Sequence, residues 1–405
     1  MKICFIVDNF YPEVNAVASR VYERALYWVK WGHEVTVVTS VPNFPEGKVH
    51  AGYKNAWKQT EMIGGIKVIR VKTYIASNYG KVTRIIDFLS FMVTSFFAGL
   101  RVKESDVIVV NTPQFFSAIS AWAVAKIKKK PFVLEIGDLW PESITAVGIF
   151  KKNLPLRLLE KIELFLYRQA SAVVTLTESF RENLINRGID PNKIITIING
   201  TELSQYKPKP KDLDLLVQYG LQDKFVVGYV GTIGMAHDLS NAVVAAEYLK
   251  FNKKIHFVFV GPGADREKII ELAKIKQLSN CTFVDMQPKE VIANYWSICD
   301  VALVHLKNNV AFTKVIPSKI FEAAAMGLPI LLVAPTGEAT QLLEQENMGW
   351  IVAAGEPKML ADTILKLSDD VEKLTFFKKN NQTQVLKYTR EIQATRFINV
   401  LLDQI

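Results

Sequence analysis

Lys319 and Glu322 stand three residues apart in the stretch Val315 to Thr340, V-I-P-S-K-I-F-E-A-A-A-M-G-L-P-I-L-L-V-A-P-T-G-E-A-T. On a helix that spacing places both on one face of a single turn. A lysine there offers positive charge to an anionic group, and a carboxylate can chelate the paired hydroxyls of a ribose. Pro317 and Ser318 read as a helix start with Ser318 as N-cap, and Gly327 as its stop. A short apolar run, Ile330 to Ala334, then leads through Pro335-Thr336-Gly337-Glu338 into a second helix whose first turn holds Ala339 and Thr340. Two helix N-termini flank one strand, and such termini receive phosphate. The chemistry indicated is the binding of a nucleoside diphosphate. An ordinary amphipathic helix with an exposed lysine–glutamate pair has the same spacing, and spacing alone leaves both readings open.

Three other loops carry candidate residues. Gly137-Asp138-Leu139-Trp140-Pro141-Glu142-Ser143 gathers two carboxylates, an indole and a hydroxyl, a surface suited to a sugar. Gly231-Thr232-Ile233-Gly234-Met235-Ala236-His237-Asp238 is a glycine-bearing turn that lets backbone approach a phosphate, with His237 as a hydrogen-bond donor or a helix cap. Asp8 to Ala16 follows the first strand without a G-x-G-x-x-G pattern, which argues against a nicotinamide dinucleotide. His305, in an apolar run, reads as a core histidine.

The elements that position these loops alternate between strand and helix. Strand patterns are expected at Ile3–Val7, Glu34–Thr39, Ile66–Val71, Val107–Val110, Phe132–Ile136, Ala172–Leu176 and Lys193–Ile198. A second series follows at Phe225–Val230, Ile255–Val260, Cys281–Val284, Val301–Leu306, Ile330–Val333 and Trp350–Ala353. Such alternation builds parallel sheets covered on both faces. The expected class is α/β, with two doubly wound, Rossmann-like domains facing a central cleft. Residues 1–203 form the first, 204–223 a polar, proline-rich linker and 224–380 the second, with a helix at 381–405 that packs across both. The segment 41–65 reads as a long functional loop.

The 405 residues are 49% hydrophobic and 22% charged, a globular profile. The net charge of +9 favours an anionic partner without choosing among nucleic acid, lipid and phosphorylated substrate. Cys4, Cys281 and Cys299 are scattered in apolar surroundings, so buried thiols in a reducing compartment are expected and no metal site is. No signal-peptide pattern opens the chain, which suggests a cytoplasmic protein. Ile85 to Leu100 is strongly apolar with Lys81, Arg84, Arg101 and Lys103 around it. A spanning helix takes about 20 apolar residues; these sixteen include Asp87 and are read as too short, leaving a sheet-covering helix or one lying on a membrane surface.

Together the motifs resemble the bacterial group-1 glycosyltransferases, the retaining family-4 class of GT-B fold, over essentially the whole chain. The matching residues are Asn9 to Glu13, Ala18 to Glu23, Gly32 to Val37, Val41 to Pro45, Asp138 to Ser143, Asn199-Gly200-Thr201, Pro317 to Glu322 and Gly337 to Thr340. The pattern is most similar to the fucosamine transferases of capsule and O-antigen synthesis. The resemblance implies a UDP-sugar donor held by the C-terminal domain, with Glu322 on the ribose, Gly231 and Thr232 near the diphosphate, and Gly337, Glu338, Ala339 and Thr340 cradling phosphate and sugar. His237 and Lys319 join the donor site, with Asn15, Ala16 and Arg20 beside it from the N-terminal domain. Trp140 and Ser143 would meet the acceptor, a lipid-diphosphate-linked saccharide at the inner membrane. Lys319, Asp138 and Glu142 are the catalytic candidates, with no cofactor, no metal and no nucleic-acid partner expected. The chain departs from the family at Lys314, where a glutamate is usual, and at Asn15-Ala16, where two glycines are. Competing readings are a UDP-N-acetylglucosamine epimerase of the same architecture, a nucleic-acid-binding protein and a non-catalytic scaffold.

Overall fold

The computed structural model describes residues 1–44, 46–75, 81–112, 115–139 and 154–405. They divide into two compact units, 1–198 with 390–405, and 199–389.

In the first unit, β1 (Lys2–Ile6), α1 (Ala16–Lys30) and β2 (Glu34–Ser40) are followed by β3 (Lys58–Ile63), β4 (Ile66–Val71), α2 (Lys81–Arg101) and β5 (Val107–Thr112). Then come α3 (Phe115–Lys128), β6 (Phe132–Ile136), α4 (Leu154–Gln169), β7 (Ala172–Thr175), α5 (Glu178–Asn186) and β8 (Ile194–Thr196). The sheet order is β3-β4-β2-β1-β5-β6-β7-β8. Every neighbour pair is parallel except β3 with β4. The central strands are buried along their whole length, as expected where helices cover both faces.

The second unit holds α6 (Leu213–Tyr219), β9 (Phe225–Val230), α7 (Ser240–Tyr248), β10 (Ile255–Val260), α8 (Arg266–Ile275), β11 (Cys281–Val284), α9 (Ile292–Ser297) and β12 (Val301–His305). It continues with α10 (Lys319–Ala325), β13 (Ile330–Ala334), α11 (Glu338–Gln345), β14 (Gly349–Ala353), α12 (Pro357–Asp369) and α13 (Val371–Gln384). Its sheet, β11-β10-β9-β12-β13-β14, is parallel throughout. A last helix, α14 (Arg390–Leu402), belongs to the first unit.

Four segments differ from the sequence expectation. The long loop at 41–65 contains β3, an edge strand whose K-Q-T-E-M-I pattern alternates between exposed and half-buried positions and so lacks an apolar face to announce it. It closes on β4 through Gly64-Gly65, whose φ values of +56° and +81° fit the two-residue turn of a right-twisted hairpin. The linker segment contains α6, capped by the Asp212 carboxylate and tied into the second unit by Lys211 to Asp300 at 2.7 Å. The C-terminal tail is two helices. Among α14's contacts, Trp28 Nε1 of α1 donates to the Ala394 carbonyl at 3.0 Å and Arg390 Nε to Glu23 at 2.7 Å. Finally, the sixteen-residue apolar segment lies in a 21-residue helix, of which Thr83–Arg101 is long and apolar enough to cross a bilayer. One face of that helix is built into the domain: Phe91 and Ser95 are buried, and the Ser95 hydroxyl donates to Ser120 of α3 at 2.9 Å.

Candidate active site

In an open parallel sheet the binding crevice lies beyond the carboxyl ends of the strands, where strand order reverses. In the second unit the reversal falls between β9 and β12. There β9 runs into Gly231, whose φ of +127° only glycine adopts comfortably. A Cβ on Gly231 would lie 2.5 Å from Lys319 Cε, so the bare glycine makes room for the lysine stem. The neighbouring loop approaches as closely: a Cβ on Gly261 would lie 2.4 Å from the Gly231 carbonyl oxygen, and one on Gly263 2.0 Å from that of Ile233. The Gly231 and Ile233 N–H groups donate to the carbonyls of Val260 and Pro262 at 2.9 and 2.7 Å. Glycines that read as turn residues are therefore also points of backbone contact between two strand-end loops.

Lys319 opens α10 and places Nζ 4.7 Å from the centroid of the Tyr229 ring, a cation–π distance. Tyr229 is fully buried and donates its hydroxyl to the Thr232 carbonyl at 2.6 Å. The His237 ring meets Tyr229 edge-on at 5.9 Å, and its Nδ1 lies 3.1 Å from the His305 carbonyl oxygen. A ring nitrogen facing a carbonyl carries the proton, which leaves Nε2 as the acceptor of the neutral ring. Burial first, and then the Lys319 charge, lower His237 to about 3, so it is neutral at pH 7. Burial lowers Lys319 to about 8, with Glu322 one turn on opposing the shift. At neutral pH the crevice thus holds a lysinium over an aromatic face beside a neutral imidazole, with the Glu322 carboxylate on the same helix face.

The start of α11 adds a different kind of group. A Cβ on Gly337 would meet the Thr313 carbonyl oxygen at 2.0 Å, so glycine lets the 310 turn Val310–Lys314 sit against this helix start. Thr340 accepts a hydrogen bond from the Gly337 N–H at 2.9 Å, and Ala339 and Thr340 are buried. Their side chains serve the helix; what the helix start can offer a ligand is backbone N–H, which the first turn leaves unpaired within the helix. Ser318 corrects an expectation. It has helical φ and ψ and makes no side-chain cap bond, so the start of α10 is not capped by its hydroxyl.

In the first unit the strand order reverses between β1 and β5. Asn15 caps α1 by accepting from the Ala18 N–H at 2.9 Å, and exposed Ala16 begins the helix. Arg20 and Arg24, one turn apart, both face Glu135 at the end of β6. Arg24 binds it in a fork at 2.9 and 2.7 Å, Arg20 Nε stands 3.3 Å away, and Asn111 Nδ2 donates at 2.6 Å. Burial alone would raise Glu135; Arg24 and Arg20 outweigh it and hold the carboxyl at about 2. Arg20 is therefore engaged inside its own domain, though among the described residues its buried Nη2 has no hydrogen-bond partner. Asp138, just past β6, is raised to about 6 by burial, against the pull of Arg20. Trp140, Glu142 and Ser143 lie outside the described residues.

Residues 216–384 match the family "Glycosyl transferases group 1", and residues 15–200 match "Glycosyl transferase 4-like domain". The chain is a glycosyltransferase, and its second unit carries the group-1 domain. WcaI of Escherichia coli (strain K12), named as a colanic acid biosynthesis glycosyl transferase, is 26% identical over 335 residues, 81% of this chain and 82% of its own. A GDP-mannose-dependent alpha-mannosyltransferase of Mycobacterium tuberculosis (strain CDC 1551 / Oshkosh) is 22% identical over 88% of this chain and 85% of its own. Among solved structures, HepE of Anabaena in complex with UDP superposes with a TM-score of 0.73 at 18% identity, covering 100% of both chains. Sucrose-phosphate synthase of Thermosynechococcus elongatus gives 0.79 at 17%, covering 99% of this chain and 98% of its own. At such identities the likeness is one of fold, GT-B with two parallel-sheet α/β domains.

For this glycosyltransferase the sequence pointed to Lys319, Gly231, Thr232 and His237, and the structure brings them to one strand reversal. It passed over Tyr229, inside an apolar strand, whose buried hydroxyl needed a partner and found one in the Thr232 carbonyl. It also passed over Glu135, Arg24 and Asn111, whose partners are far away in sequence.

Proposed function

We propose that the chain is a retaining transferase that moves a sugar, an N-acetyl-L-fucosamine or another N-acetylhexosamine, from UDP to a lipid-diphosphate-linked saccharide. Its product would enter a capsule, O-antigen or exopolysaccharide, and the enzyme would work as a peripheral protein of the inner membrane's cytoplasmic face. The observation that carries this reading is the lysinium of Lys319 seated on Gly231 at the β9–β12 reversal of the unit that matches the group-1 family. The crystallised complex of HepE with UDP supports the donor, and the colanic acid biosynthesis named for WcaI supports the pathway class.

In this mechanism the anomeric C–O bond to the diphosphate breaks and a bond to the acceptor oxygen forms on the same face. The acceptor's proton passes to the departing phosphate oxygen. Charge growing on that phosphate is met by Lys319 and by the backbone N–H groups that open α11, preorganised donors of the kind that lower such barriers most. Glu322 takes the ribose hydroxyls. Asp138 positions groups rather than acting as base. Activity is expected to survive chelation by EDTA.

A thermal-shift panel of UDP-, GDP- and dTDP-sugars on the purified chain tests the reading. Stabilisation by UDP-sugars alone is expected. Stabilisation by GDP-mannose alone would move the donor to the class named for the mycobacterial relative, and no shift with any nucleotide sugar would overturn the transferase site.

A further inference from the structure

The outer face of α2 is apolar. Ile85, Ile86, Leu89, Val93 and Phe97 keep 42, 44, 39, 48 and 52% of their surface exposed, and 86, 89, 93 and 97 follow one helical stripe. A surface helix of a globular domain normally turns polar residues outward. Here the stripe faces out, and of residues 83–101 only Phe91, Ser95, Ala98 and Gly99 are buried against the domain. Asp87 is the one acidic residue of the helix.

Beside the stripe runs a groove of about 740 Å³ between α2 and the strands β3 and β4 at one side of the sheet. Phe97, Trp57, Lys58, Lys67, Arg101 and Lys103 line it. Its two carboxylates, Glu34 and Glu104, both pair with Lys2. Among the described residues, no carboxylate is within ion-pairing distance of Lys58, Lys67, Arg101 or Lys103. Trp57 is 75% exposed and carries the Lys72 ammonium 5.0 Å from its ring centroid. An apolar stripe along a helix, flanked on one side by unneutralised lysines and arginines and by an exposed indole, has the pattern of an element lying in a bilayer interface. Cations next to that stripe complement lipid phosphates, and juxtaposed basic residues gather anionic lipid.

We propose that α2 and the groove beside it are a docking surface for an anionic lipid bilayer. Val93 and Phe97 enter the acyl boundary, and Lys58, Lys67, Arg101 and Lys103 meet the phosphate headgroups. This gives the membrane side of the proposed function a place in the chain, and rests on that reading only for its purpose, since no step of sugar transfer enters the argument.

The test is sedimentation of the full chain with vesicles of phosphatidylglycerol and phosphatidylethanolamine, against vesicles of phosphatidylcholine, at low and high salt. Binding to the anionic vesicles only, weakened by salt, is expected. The double variants V93E/F97E and K67E/R101E change exposed positions and are each expected to lower the bound fraction at least tenfold, with the melting temperature and the UDP-sugar shift unchanged. Equal binding by the variants, equal binding to neutral vesicles, or no binding to anionic ones would overturn the proposal. So would a wild-type dimer by light scattering that V93E/F97E converts to monomer, because a second copy would then cover the stripe. Loss of the UDP-sugar shift in the wild type would count against the transferase reading and leave this one standing.

Discussion

Gly231 and Lys319 are in direct contact: the lysine Cε lies 2.5 Å from where a Cβ on residue 231 would be. The first residue past β9 is thereby shaped to receive the first residue of α10, some ninety positions later. The charge sits above the Tyr229 ring rather than in bulk water, which makes it both costly and useful.

Replacing that charge tests the site directly. Lys319→Ala is expected to lower kcat by about 10²–10³-fold, the cost of one preorganised donor on a departing oxyanion. Donor affinity, read by calorimetry with a UDP-sugar, should weaken with it. Wild-type turnover and affinity in the variant would remove Lys319 from the diphosphate.

Gly231→Ala forces a side chain onto the lysine at a φ of +127°. A lower melting temperature and at least tenfold weaker donor binding are expected. In a Lys319→Ala background the same change should cost less, with a coupling of about 1–2 kcal/mol in a double-mutant cycle. Strict additivity would mean that the contact does not govern the effect.

Donor binding should depend on pH through Lys319. Burial lowers it from 10.5 to about 8 in the folded chain, and a bound diphosphate favours the charged form. Affinity should be flat near neutrality and fall about tenfold per pH unit above about 8, as binding comes to require proton uptake. Stability has the opposite sign. Between about 8 and 10.5 the unfolded chain binds the extra proton, so the cost of burying the charge is relieved as pH rises. Calorimetry in two buffers of different ionisation enthalpy at pH 8.5 should reveal the uptake; identical heats would refute it.

Glu135 anchors the first unit's reversal. Glu135→Gln leaves two buried guanidiniums facing a neutral amide, and the expected cost is about 3–5 kcal/mol in urea unfolding. With its folded pKa depressed to about 2, Glu135 contributes stability that is fully present above its ordinary value of 4.5 and lost as pH falls toward 2. A variant as stable as wild type would show that Arg24 and Arg20 find other partners.

The sequence by itself determined the two doubly wound domains and most of their strands, because a parallel strand buried on both faces must be a short apolar run. Five expected ranges, Phe132–Ile136, Ile66–Val71, Phe225–Val230, Ile255–Val260 and Cys281–Val284, coincide with observed strands. The half-exposed edge strand β3 stayed hidden because it has no apolar face of its own, and α6 because its seven residues are too few to show a helical period inside a polar, proline-rich segment. The motif at Lys319 and Glu322 was also legible, because i,i+3 spacing is a local property of a helix. Only the tertiary structure decided what those residues meet: the bare Gly231 that admits the lysine, the Tyr229 ring beneath its charge, the Thr313 carbonyl against Gly337, and the one carboxylate shared by Arg20 and Arg24. Burial and partnership join residues as far apart as Arg24 and Glu135, 111 positions, or Glu23 and Arg390, 367 positions, and such distances leave no local pattern in the chain.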